Sequence, residues 1–180
     1  MDVRAFVALE LDTAARERLR AAKEDLRREL AAVRWVRPEG IHLTLRFLGQ
    51  SSEQALDCLR PRLATAAARC PATEAPLRGF GLFPERGAPR VLWVGLEFGP
   101  PLRELQETCE TAAVACGFPR ERRPYSPHLT LGRWRDRAPR PALPARDLGA
   151  ARLSQLVLYR SELRPGGAVY TPLAIFPLGG

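Results

Sequence analysis

The tetrapeptide His-Leu-Thr-Leu occurs twice in this chain, at residues 42–45 and 128–131, and the two copies hold both of its histidines, His42 and His128. Two histidines rarely share three identical followers by accident, so this repeat constrains the fold more than any other feature. Side chains alternate between the two faces of a strand. His42 and Thr44 therefore point one way, and Ile41, Leu43, Leu45 and Phe47 the other. His128 and Thr130 repeat the pattern over Leu129 and Leu131. Each copy reads as a strand anchored in a core by leucines, presenting an imidazole and a hydroxyl. Neither copy supplies both an acid and a base. Two copies facing each other across a cleft do.

Around these strands, extended and helical patterns interleave. Residues 3–11 read as a buried strand. Asp12 or Thr13 caps a helix over 14–33 that carries Leu19, Leu26 and Leu30 on one stripe. Turn chemistry at 38–40 precedes a strand over 41–48. A turn at 49–52 follows, in which Ser51 or Ser52 caps a second helix reaching about Arg69, with Pro61 kinking or breaking it near its middle. Segments 75–84 and 90–98 read as strands joined by a turn at 85–89. Pro100 and Pro101 open a third helix that runs to Cys116 and stops at Gly117. Residues 120–127 form an extended basic loop, and 129–134 a strand. The stretch 136–151, rich in Pro and Arg, reads as an exposed loop with at most one helical turn. Strands at 152–163 and 168–178 are joined by a hairpin at 165–167. The hairpins among these elements imply an α+β architecture with antiparallel pairing, not a doubly wound parallel sheet.

With 180 residues, the chain suits a single domain or two fused small lobes and buries a core without staples. It contains no apolar run of membrane-spanning length and no signal-peptide leader, so a cytoplasmic setting without membrane association is expected. Cys58, Cys70, Cys109 and Cys116 form no Cys-x-x-Cys pair and none lies beside a histidine, which excludes the usual zinc spacings. All four are expected to be reduced, structural thiols. No Gly-rich nucleotide loop is present. The net charge of +8 suits a polyanionic partner. It equally reflects composition, because Lys23 is the only lysine and many arginines sit beside acids on helix faces.

Two imidazoles without a metal suit displacement at a phosphodiester. A neutral ring takes a proton from the attacking oxygen, and an imidazolium gives one to the leaving oxygen on the far side of phosphorus. The threonine hydroxyls can donate to the non-bridging oxygens, and a nearby arginine can clamp them. A single strand histidine is more often structural than catalytic. It is the duplication that favours catalysis. Two histidines alone also leave a zinc ion short of a third protein ligand.

The doubled motif, with HLTLRFLG from His42, SPHLTLGR from Ser126, RAFVA from Arg4, RVLWVG from Arg90 and LYRSEL before Tyr170, resembles the 2H phosphoesterase superfamily over essentially the whole chain. Within it, the sequence is most similar to the RNA 2′,3′-cyclic phosphodiesterases, also called 2′–5′ RNA ligase-like proteins. The resemblance implies one domain over residues 1–180, built of two pseudo-symmetric lobes of antiparallel sheet plus helices around a central cleft. It implies hydrolysis of a terminal 2′,3′-cyclic phosphate to a 2′-phosphomonoester without cofactor or metal, and in some members the reverse 2′–5′ ligation. RNA with cyclic phosphate ends, or cyclic nucleotides, are the implied partners, and a monomer is expected. His42 is implied as proton donor and His128 as proton acceptor. The residues themselves leave that split open, since the two copies are locally equivalent.

Arg133 matches a phosphate-binding arginine of the family. Strand parity sets it opposite His128, so it needs a bulge or the strand end to turn inward. Arg46 has the right parity and is the second candidate. A solvated surface arginine is the plain alternative for each. Phe6, Phe47 and Trp93 are candidates to line a base pocket, although strand aromatics are more often core. The Pro-rich stretch 136–151 departs from the family, which usually carries a helix there. Two other functions fit the same residues: a basic cleft that holds RNA ends without turnover, and a cyclic phosphodiesterase for a non-RNA substrate.

Overall fold

The computed structural model describes residues 2–30 and 32–179. Strand β1 (Val3–Leu11) is buried continuously from Ala5 to Leu9, because both of its faces are covered. Ala5, Val7 and Leu9 enter the main core, whereas Phe6 and Ala8 join Val157 and Tyr159 in a small separate cluster. This two-sided burial explains the poor alternation of its sequence. Helix α1 (Thr13–Glu29) is N-capped by Asp12, whose carboxylate accepts from the Ala15 amide at 2.9 Å, satisfying one of the orphan donors of the first turn. It buries Ala15, Leu19, Ala22 and Leu26.

The helix does not reach Val33 as expected. It ends at Glu29, Ala32 takes a left-handed backbone (φ 61°), and Val33–Trp35 form a short strand, β2. Pairing with a distant strand and core contacts of Val33 and Trp35 outweigh the helical periodicity. Beyond a 3-10 turn at Pro38–Gly40, strand β3 (His42–Ser51) runs through the expected turn at 49–52. Gly49, with φ 72°, absorbs an irregularity of the ladder and lets pairing with β1 continue to Val3↔Ser51. Ser52 then caps α2 (Glu53–Arg69), which runs through Pro61 without a break. Burial of Leu56, Leu59, Leu63, Ala66 and Ala67 along the helix offsets the proline's cost of about 3 kcal/mol.

Strands β4 (Thr73–Phe83) and β5 (Val91–Leu96), helix α3 (Pro100–Ala115), and strands β6 (His128–Trp134), β7 (Ala150–Arg164) and β8 (Gly167–Pro177) complete the fold close to the expected places. Gly117, at φ 88°, follows the end of α3. The loop 136–149 has no regular structure, yet Leu148 is buried and Ala138 and Leu143 pack on the core.

The strands pair antiparallel in the order β1-β3-β6-β5-β4-β7, and β7 returns to β1 to close the ring; β8 lies outside β7 and β2 beside β6. One lobe comprises β1, β3, β7 and β8, the other β2, β4, β5 and β6. Two seams join them. One is the single pair Leu43↔Leu129 between β3 and β6, and the other is the start of β7 lying along β4. The architecture is α+β with an antiparallel sheet and two lobes. No helix among the described residues is long and apolar enough to cross a membrane.

One expectation about the thiols is corrected. Cys58 and Cys116 form a disulfide, with Cα atoms 5.7 Å apart, while Cys70 and Cys109 are free and buried. Packing of α2 against α3 brings together residues 58 apart in sequence, a proximity that no local spacing signals.

Candidate active site

The seam between the lobes is where the two motifs meet. Leu43 and Leu129 pair across it and both point into the core. Continuing that antiparallel register by one residue sets Thr44 opposite His128 and His42 opposite Thr130, all four on the face away from the core. In a regular ladder the two histidines are then diagonal neighbours, with roots roughly 7–8 Å apart.

Each motif strand carries an irregularity at the same place. Pairing of β3 with β1 passes from Ala8↔Thr44 to Val7↔Arg46, leaving Leu45 unpaired. Pairing of β6 with β5 passes from Trp93↔Thr130 to Leu92↔Gly132, leaving Leu131 unpaired. An extra residue in one strand reverses the parity of everything after it. Gly132 consequently faces the core, where a Cβ would come within 2.5 Å of Val33, and Arg133 faces the cleft. Its guanidinium is close enough to influence both His128 and Tyr170.

The same reversal corrects the expectation for Arg46. It turns to the far side of the sheet, is only 7% exposed, and forms an ion pair with Glu110 of α3. Its other nitrogens donate to the carbonyls of Phe47 and Pro119. Phe47 takes the cleft face instead, 53% exposed and 6.0 Å from Phe6. Phe47 and Arg133 are thus equivalent positions of the two lobes. Because β3 and β6 are antiparallel, they lie toward opposite ends of the cleft.

Aromatic side chains pack against both imidazoles. Phe6 stacks on His42 at 4.8 Å, with Tyr170 edge-on at 5.1 Å. Phe83 meets His128 edge-on at 5.0 Å, and Trp93 lies 6.5 Å from it. Trp93 occupies the space above Gly81, where a Cβ would sit 2.2 Å from the indole. Behind His42, Glu10 accepts a hydrogen bond from Tyr159 and faces Arg16 at 3.6 Å. Sequence reasoning gave no site role to Tyr159, Tyr170, Phe83, Glu10 or Arg16. Glu10 and Tyr159 are 149 residues apart, and a strand aromatic gives no hint of which face it takes.

His128 engages the Ser126 carbonyl through Nδ1 at 2.7 Å, and the Gly40 backbone favours the charged form of His42. Nδ1 so committed leaves Nε2 of His128 as the nitrogen free for proton transfer. Burial, chiefly, lowers the pKa of His42 from its ordinary value to about 4, with smaller contributions from Arg16 and His128. Burial likewise lowers that of His128, helped by Arg133 and opposed by the Ser126 carbonyl. Both shifts favour the neutral form of the rings. Among the described residues, no group of three or more His, Cys, Asp or Glu side chains is placed to hold a metal ion.

The model of the LigT-like phosphoesterase family matches residues 9–93 and again 96–170, one motif in each match. A protein of Methanothermobacter thermautotrophicus, described as RNA 2′,3′-cyclic phosphodiesterase, is 34% identical over 185 residues, covering 99% of this chain and 100% of its own. A Thermus thermophilus protein of the same description is 36% identical over 179 residues, covering 91% and 86%. Among solved structures, a Thermus thermophilus protein superposes with a TM-score of 0.86 at 33% identity, covering 98% of each chain. E. coli LigT complexed with 3′-AMP gives 0.83 at 27% identity, covering 100% of each. Family model, full-length relatives and shared fold agree, and the chain belongs to the LigT-like phosphoesterases of the 2H superfamily.

Proposed function

We propose that this enzyme hydrolyses the 2′,3′-cyclic phosphate at RNA ends to a 2′-phosphomonoester, using His42 and His128 as its acid–base pair and no metal. The observation that supports the reading is the Leu43↔Leu129 pair, whose register puts an imidazole and a threonine of each lobe on the same face of the seam. Water attacks phosphorus opposite the 3′ oxygen, and one histidine takes its proton. The P–O3′ bond breaks, and the other histidine protonates O3′. Thr44 and Thr130 donate to the non-bridging oxygens, and Arg133 balances their charge. His42 is taken as donor and His128 as acceptor, the split that the family resemblance implies, and the bound phosphate anion favours the protonated ring that the donor needs. The same displacement with a 5′-hydroxyl attacking in place of water gives 2′–5′ ligation. The reading also takes the enzyme to work as a cytoplasmic monomer with Phe6, Phe47 and Trp93 beside the base.

Incubation of the protein with 2′,3′-cyclic AMP in EDTA tests this. The expected product is 2′-AMP. A strict requirement for added metal, or 3′-AMP as product, contradicts it.

The depressed histidines imply proton uptake when an anion binds. Burial holds the pKa of His42 down at about 4, and a neighbouring anion favours its charged form and raises that value. Between the two values the complex holds more protons than the free protein. Affinity for an anion therefore rises as pH falls from 7 and levels off below about 4. Sulfate, which does not titrate in this range, is the suitable probe. Calorimetry at pH 6 in buffers of different ionisation heat should show protons taken up, and proton release would contradict this assignment.

A further inference from the structure

The cleft has two unlike ends, and its cationic end holds more positive charge than one phosphate requires. Arg34 of β2 is the register partner of Arg133 in β6. Their flanking residues Val33 and Trp35 pack on the core, so Arg34 shares the cleft face with Arg133, the two rooted ~5 Å apart. Directly opposed like charges are destabilising in a sheet unless an anion lies between or above them. Neither arginine has a carboxylate partner among the described residues. By contrast, Arg160 and Arg164 on the nearby hairpin both close on Glu162. Arg34 is also held in place. Its Nη2 donates at 2.8 Å to the Pro165 carbonyl at the tip of the β7–β8 hairpin, which reaches over from the other lobe. The hairpin's Tyr170 lies between this cationic end and His42.

We infer that Arg34, beside Arg133, forms a second phosphate subsite that receives the 5′-phosphate of the terminal nucleotide. The inference rests on the cyclic phosphodiesterase reading above. A nucleotide ending an RNA strand carries two phosphates. With the cyclic one between His42 and His128 under Arg133, the other anionic group on the same nucleotide is the 5′-phosphate. A 2′,3′-cyclic nucleoside lacks it. The subsite thus favours strand ends over free cyclic mononucleotides, and the hairpin carbonyl pre-orients the guanidinium for it.

The test compares 2′,3′-cyclic AMP with the same molecule bearing a 5′-phosphate, which adds charge and no base. Wild type should favour the 5′-phosphorylated form in kcat/KM by about tenfold at low salt, as a charge-assisted contact allows. Arg34→Gln should bring that ratio close to one, and Arg34→Lys should retain part of it. The preference should fall as salt is raised, because screening weakens the one extra charge contact. No preference in wild type, or an undiminished preference in Arg34→Gln, overturns the subsite. Binding of adenosine 2′,5′-bisphosphate against 2′-AMP, measured on wild type and Arg34→Gln, reads the same ratio without turnover. Failure to hydrolyse either cyclic substrate would therefore count against the function and still leave the subsite decided by binding.

Discussion

His128→Ala and His42→Ala are each expected to lower kcat on 2′,3′-cyclic AMP about 10²–10⁴-fold, the usual contribution of one positioned acid or base. The double variant should be little worse than the poorer single one, because the two rings act in one displacement and losses from such a unit do not multiply. Fold and catalysis can be separated in these variants. His42 is packed among Phe6, Tyr159 and Tyr170, so its removal leaves a small cavity and some loss of stability. A native circular dichroism spectrum and a cooperative thermal transition show that a variant is folded. Activity is then read below that transition. Thr44→Val and Thr130→Val should cost less, since each removes one donor to the non-bridging oxygens and leaves proton transfer in place. A folded His128→Ala protein with near wild-type turnover would remove the acid–base assignment.

The second large effect is on stability and lies behind the sheet. Glu110→Ala should destabilise the protein by roughly 3–5 kcal/mol, because it leaves the buried Arg46 guanidinium without its counter-charge. For a chain of this size that corresponds to a fall in Tm of ~6–20 °C. The carbonyls of Phe47 and Pro119 still accept from Arg46, which favours the lower part of that range. Replacing both partners, Arg46→Met with Glu110→Leu, should recover most of the loss, since an apolar pair of similar volume removes the desolvation cost of both ions. Turnover of the double variant well below its transition should stay close to wild type. This outcome separates the observed position of Arg46 from the phosphate-binding role its sequence parity suggests. A loss of activity as large as that expected for a histidine variant, at unchanged Tm, would restore that role.

The sequence by itself determined whatever depends on residues a few places apart. His-x-Thr spacing sets an imidazole and a hydroxyl on one face of a strand, whatever the strand later pairs with. Asp12 and Ser52 cap helices through the amide three residues on, and Pro100 and Gly117 bound a helix by their own backbone preferences. Tertiary structure decided the matters that depend on a partner strand. The irregularities at Leu45 and Leu131 arise from register with β1 and β5. They send Arg46 to the core, Phe47 to the cleft and Arg133 toward the histidines. Val33–Trp35 became a strand because β6 offered an unpaired edge with Gly132 to pack on. The Cys58–Cys116 bond and the Tyr159–Glu10 contact likewise join residues 58 and 149 apart. Backbone and side-chain preferences act locally and can be read along the chain, whereas register, parity after a bulge and distant pairing are set by the free energy of the packed whole.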